Sequence, residues 1–255
     1  MIHGEISDKR LKDIIRETEK EINYSFDPQG RLVKKEEYLK LPGDMMDTAI
    51  VVYLYDDQDR LVCMRKNDGY GFFSYYYEYN EEGFITSEKY CRNPEMTAET
   101  PLGTEVPGKE FVIASETYQY ERINDTLVKR KTFNNYGKQY QETFMYWNNL
   151  GYKVKEETRL LITNKRITVE YTYDDKGRPL SRKESSNIMK PTSVEYRYVY
   201  DEVGNVEKEQ YFRNGVLTTE REAVYYKDSM LLKALIVFDV NTQFMNIIRY
   251  DYKYD

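Results

Sequence analysis

Tyr198-Val199-Tyr200-Asp201-Glu202-Val203-Gly204-Asn205-Val206 is the stretch that decides the fold of this chain. Asp followed three residues later by Gly suits a type I turn, in which the Asp side chain caps the local backbone and Gly takes the left-handed position. A type I turn followed by a left-handed residue makes a hairpin loop with a bulge. Upstream, Val194, Tyr196, Tyr198 and Tyr200 alternate with Glu195 and Arg197, the two-residue period of a strand with one apolar face. The segment therefore predicts a strand, a reversal and a return strand.

The pattern recurs along the chain. Clear copies are Tyr24-Ser25-Phe26-Asp27-Pro28-Gln29-Gly30-Arg31-Leu32, Tyr53-Leu54-Tyr55-Asp56-Asp57-Gln58-Asp59-Arg60-Leu61 and Tyr171-Thr172-Tyr173-Asp174-Asp175-Lys176-Gly177-Arg178. Looser copies run through 77–83, 118–124, 145–151 and 225–231, and Tyr252-Lys253-Tyr254-Asp255 opens another. The Asp position falls at 27, 56, 80, 121, 148, 174, 201, 228 and 255, so the last five gaps are 27, 26, 27, 27 and 27. A fixed period of this size marks a repeat architecture. The Gly slot holds Gly30, Asp59, Gly83, Asn124, Gly151, Gly177, Gly204 and Leu231, and all but Leu231 tolerate a positive φ comparatively well.

A second reversal is predicted half a period on. Asn93, Asn134, Asn187, Asn214 and Asn241 each lie 13 residues after a motif position, and Asn214-Gly215 is a strong signal for a tight hairpin. Each unit is then two strands of roughly 8–10 residues, about 30 Å long. The expected fold is all-β: a long antiparallel β-meander of about 16 strands, curled on itself because so wide an open sheet does not stay flat. An uncovered tyrosine face would also exceed what a soluble surface exposes, so the tyrosines are expected inside the curl.

The ends differ. Leu11, Ile14, Ile15 and Ile22 have helical spacing behind a possible N-cap at Ser7 or Asp8, which predicts a helix over 8–21. Residues 1–21 are read as a helical cap on the terminal repeat, or else a docking helix, and 22–255 as the repeats. Residues 91–110 interrupt the repeat with Pro94, Pro101, Gly103, Pro107 and Gly108, a density that argues against a central strand. Such an insertion is either a functional loop or an idle excursion.

Composition narrows the function classes. There are 27 Tyr against 10 Phe and one Trp, which suits a pleated surface apolar at its base and wet at its tip. A net charge of −6 argues against a surface that tracks nucleic-acid phosphates. No apolar run approaches the roughly 18 residues of a membrane span. The start, Met1-Ile2-His3-Gly4-Glu5, has no apolar signal core, so the chain is expected to be cytoplasmic or to begin after a removed signal. Cys63 and Cys91 stand about one repeat apart, a spacing that can bring them near each other on neighbouring strands, and are read as buried free thiols.

The Tyr-x-Tyr-Asp-x-x-Gly-Arg-Leu unit resembles the YD, or Rhs, repeat of bacterial secreted and surface proteins. The resemblance covers residues 22–255 and is strongest from 118 onward. It implies a long β-sheet strip with no chemistry in the repeats, and a secreted or cell-envelope location. Members of that family spiral into hollow shells. This chain is far shorter than a complete shell, and no autoproteolytic core or toxin segment is read in it after the repeats, so a short, curled, stand-alone sheet is expected rather than a closed container.

No catalytic set stands out. His3 is the only histidine, which removes Ser/His/Asp and Cys/His catalysis and His-based metal sites, and no phosphate loop is present. Asp56, Asp57 and Asp59 suggest a calcium loop, but the glycine and glutamate an EF-hand requires are missing. No cofactor and no metal are expected. Asp27, Gly30, Asp56, Gly83, Gly151, Asp174, Gly177, Asp201, Gly204, Asn214 and Gly215 are read as turn residues. Candidate binding residues are Tyr75, Tyr76 and Tyr77, which put aromatics on both faces of a strand, with Tyr146 and Trp147. Their alternative role is cross-strand packing. The expected function is a non-enzymatic scaffold or binding module, exported or surface-exposed, engaging a protein or glycan. The alternatives are a polysaccharide hydrolase with a carboxylate pair on one face and a fragment of a larger toxin-like shell.

Overall fold

A computed structural model describes residues 20–40, 46–68, 71–94, 109–163, 165–188 and 192–252. It has seventeen antiparallel strands in one sheet, and no helix among the described residues. The helix expected over 8–21 lies outside the described residues as far as residue 19, while Lys20 and Glu21 open the first strand. Most of the 91–110 insertion, residues 95–108, likewise lies outside them.

The chain divides into two compact units, residues 1–117 and 118–255. The first contains β1 (Lys20–Phe26), β2 (Leu32–Lys40), β3 (Met46–Tyr55), β4 (Leu61–Asp68), β5 (Gly71–Tyr79), β6 (Ile85–Arg92) and the start of β7 (Phe111–Asn124). Each strand pairs antiparallel with its successor. Cys63 opposes Tyr76, which opposes Lys89; in the neighbouring row Arg65 opposes Ser74, which opposes Cys91. Residues directly opposite share a face, so both thiols lie on one face, two strands apart and in different rows. Both are buried and free.

The second unit holds the rest of β7 and β8 (Leu127–Phe133), β9 (Gln139–Trp147), β10 (Lys153–Leu160), β11 (Arg166–Tyr173) and β12 (Pro179–Ser186). It continues with β13 (Thr192–Tyr200), β14 (Val206–Arg213), β15 (Val216–Tyr225), β16 (Leu232–Asp239) and β17 (Phe244–Arg249). From β8 on, each strand again pairs with the next. Val128, Met145 and Val169 are buried in its core, and no described residue beyond Val169 is buried. The opposite face carries a cross-strand row of alternating sign, Lys155, Glu170, Lys183 and Glu195. Such opposite-charge neighbours stabilise a sheet modestly.

The turns follow the motif. At Asp27, Asp56, Asn80, Asn148, Asp174 and Asp201 the side-chain Oδ1 accepts from the backbone N–H four residues on. The capping residue's own N–H donates to the carbonyl of that same residue. Gly30, Asp59, Gly83, Gly151, Gly177 and Gly204 all take positive φ. Asn214 and Gly215, with φ of 51° and 79°, form the expected tight hairpin.

Two loose copies are corrected. Residues 118–124 are strand, with Glu121 in mid-β7, and the chain reverses at Asp125–Thr126. Glu121 lacks the short side chain that caps such a turn, whereas the Asn124 Oδ1 accepts from the Thr126 N–H and tightens the reversal there. The full motif turn falls instead at Asn134-Asn135-Tyr136-Gly137, where Asn134 caps Lys138 and Gly137 has φ of 69°. Near Asp228 the loop is longer: the Tyr226 N–H donates to the Leu231 carbonyl, and Met230, not Leu231, takes the positive φ.

Candidate functional site

The motif side chains lock successive hairpins together. The hydroxyls of Tyr55, Tyr79, Tyr173, Tyr200, Tyr225 and Tyr252 donate to the main-chain carbonyls of Leu32, Leu61, Lys153, Pro179, Val206 and Leu232 at 2.7–2.8 Å. Each acceptor is the first residue of the return strand of the preceding hairpin, 18 to 23 residues back. Arg31, Arg60 and Arg178 complete the device. Each guanidinium holds its own turn's Asp (Asp27, Asp56, Asp174) at 2.6–2.7 Å and lies 4.5–5.0 Å from the ring of the next hairpin's Tyr (Tyr55, Tyr79, Tyr200). That is cation–π distance. Asp56 stays below the ordinary carboxyl range because Arg60 hydrogen-bonds it through side chain and backbone. The sequence placed these residues in turns but left the clasp between hairpins unread.

The expected binding residues are only half-exposed. Tyr75 stacks on Tyr90 with centroids 4.6 Å apart, on the face opposite Tyr76. Tyr76 donates at 2.7 Å to Glu110, which also accepts from Asn93 at 2.6 Å; Asn93 in turn accepts from buried Ser74. Burial pushes the Tyr76 and Tyr77 phenols above their ordinary pKa. Tyr146 donates to Glu157 at 2.8 Å, and the main-chain N–H of Trp147 donates to the Thr126 carbonyl. Hydrogen bonds from Lys155 and Tyr146 hold Glu157 below the usual carboxylate range. The structure thus separates Tyr75–Tyr77 and Tyr146–Trp147 into different units and ties most of them into the sheet.

A hollow of about 570 Å³ lies in the second unit where β11, β12 and β13 meet their loops. Arg166, Thr168, Ser185, Asn187, Ser193 and Asn214 line it. Two asparagine clamps frame it. Asn187 donates its N–H to the Arg166 carbonyl and its Oδ1 accepts from the Arg166 N–H; Asn214 does the same with Ser193. Thr168, Ser185 and Ser193 form one cross-strand row of hydroxyls.

Two carboxylates on β15 share one cation. Glu220 and Glu222 both pair with the Lys208 ammonium, at 3.1 and 2.8 Å. Gln210 and Lys208 hold Glu220 below its ordinary pKa, although burial opposes them. Among the described residues no group of three or more His, Cys, Asp or Glu is placed to hold a metal. Nor is any helix among them long and apolar enough to cross a membrane.

No protein-family model and no curated protein matches the chain. Among solved structures it is similar to a porin-like protein from Bacteroides uniformis (13% identity, 77% of this chain and 85% of that one, TM-score 0.40). A porin-like protein from Bacteroides vulgatus gives 11% identity, 83% and 96% coverage and a TM-score of 0.32. A chain of the TcdB2-TccC3-Cdc42 structure gives 10% identity over 99% of this chain and 17% of that one, at a TM-score of 0.27. Likenesses at these identities and scores carry no argument about activity.

Proposed function

We propose that this chain is a non-enzymatic β-repeat scaffold, exported or surface-exposed, that presents a binding surface to a protein or glycan. The observation that carries the reading is the repeated clasp. Six tyrosine hydroxyls and three arginines with their aspartates are committed to joining one hairpin to the next. The repeated chemistry serves architecture, and recognition falls to what the clasps leave open.

Seven of the carboxyl groups support the same reading, in being unsuited to proton donation. Asp27, Asp56, Glu157, Asp174, Asp201, Glu220 and Asp239 are all held on the acid side of their ordinary values. A glycosidase acid needs its pKa raised so that it keeps a proton at neutral pH. The exported location rests on the likeness of the motif to the YD repeat.

The test is a screen of the purified chain against a glycan array and a panel of envelope proteins, with polysaccharide hydrolysis followed in parallel. Saturable binding without hydrolysis is expected. No ligand at millimolar concentration, or turnover of a polysaccharide abolished by Glu220→Gln, sinks the proposal.

A further inference from the structure

We infer that the hollow between β11, β12 and β13 binds an acidic oligosaccharide, with a sugar carboxylate on Arg166 and ring hydroxyls on the surrounding polar side chains; this deepens the binding-module reading and rests on it. The lining is biased toward donors. None of the eight described residues that line the hollow is a carboxylate or an apolar side chain. Asn187 and Asn214 commit their Oδ1 atoms to backbone N–H groups, so what they offer a ligand is amide N–H. Thr168, Ser185 and Ser193 add hydroxyls that donate or accept.

Charge is the second, independent sign. Arg166 stands directly opposite Arg159 across β10 and β11. Like charges in that position destabilise a sheet; Glu142 beside Arg159, and Glu157, which opposes Thr168, pairs with Lys155 and lies within Coulombic reach of Arg166, offset only part of the repulsion. Arg159 leans toward Glu142 at 3.9 Å, on β9 and away from the hollow, while Arg166 is exposed and lines it. A guanidinium fits a carboxylate through two parallel hydrogen bonds. A hollow of about 570 Å³ falls within the size range of small-ligand sites. A protein partner would look for an apolar or aromatic anchor point, which the described lining residues do not supply.

Calorimetry on the whole chain tests the inference with a galacturonate trisaccharide, its carboxyl-reduced neutral counterpart and sodium sulfate. The acidic trisaccharide should bind, the neutral one at least about tenfold more weakly, and Arg166→Gln should weaken the acidic one by a similar factor. Arg166 serves the clamp through its main chain, so Arg166→Gln should not lower the urea midpoint, and relief of the repulsion from Arg159 should raise it slightly. Lys176→Gln, at an exposed turn, makes the same charge change and should leave binding unchanged. Equal binding of acidic and neutral sugars, sulfate binding as tightly as the trisaccharide, or indifference to Arg166→Gln overturns the inference. If the acidic sugar fails while another glycan or a protein binds, only this inference falls. If nothing binds, the binding-module reading falls with it.

Discussion

The hydroxyl of Tyr79 donates at 2.8 Å to the main-chain carbonyl of Leu61, 18 residues earlier and in the previous hairpin. Tyr200 repeats the contact with Pro179 at 2.7 Å, but in a more exposed setting. Water replaces a lost partner at an exposed site and does so poorly at a part-buried one. Tyr79→Phe should therefore cost roughly 1 kcal/mol and Tyr200→Phe less than about half of that. Urea unfolding of the two variants checks the order: equal losses would overturn the dependence on burial, and no loss in either would remove the clasp as a source of stability.

Acid should loosen the turns. Arg60 holds Asp56 low, and main-chain and side-chain hydrogen bonds do the same for Asp27, Asp174 and Asp201 even though desolvation pushes those three upward. A carboxyl with a depressed folded pKa contributes stability that is full above its unfolded value, about pH 4, and is lost as pH falls through the folded value. The urea midpoint should thus be flat near neutrality and fall below about pH 4. Asp56→Asn should make that fall shallower, since the amide caps without titrating.

The two cysteines should be silent in the folded protein. Burial pushes the Cys63 thiol up to about 11 and raises Cys91 as well. The thiolate is the reactive form. A colorimetric thiol reagent at pH 8 should find almost none of the two thiols in native protein and both in urea. Their placement two strands apart and in different rows also forbids a disulfide without movement of the backbone.

Two glycines with the same φ should differ. Gly83 (φ 82°) has nothing within 4 Å of where a Cβ would stand, whereas a Cβ on Gly177 (φ 79°) would overlap the Tyr152 hydroxyl. Gly83→Ala should cost roughly 1–2 kcal/mol for the left-handed backbone alone. Gly177→Ala should cost more, because Tyr152 must leave its stack on Tyr173, where the centroids are 5.1 Å apart. Thermal melts of the two variants measure the difference.

The turns were legible because they are local. Asp201 and Gly204 fix a reversal within five residues, and the alternation of Val194, Tyr196, Tyr198 and Tyr200 fixes a face. The misread copy at 118–124 shows the limit: aromatic spacing without a capping Asp or Asn does not make the turn. The Tyr–carbonyl clasp was out of reach because it depends on register between hairpins. Cys63 and Cys91, one repeat apart in sequence, land in different rows for the same reason. The hollow arises only when Thr168, Ser185 and Ser193 are brought level on three strands.

Every phenol in the clasp series leans toward the amino terminus: the donor is always the later residue and the acceptor the earlier one. A ribosome delivers the acceptor first. Each newly emerged hairpin thus finds its docking carbonyl already waiting on the one before, while no finished hairpin waits on residues still unmade to fix its own tyrosine. On the ribosome, then, the clasps can close one after another from the first hairpin onward, each as soon as its own tyrosine emerges.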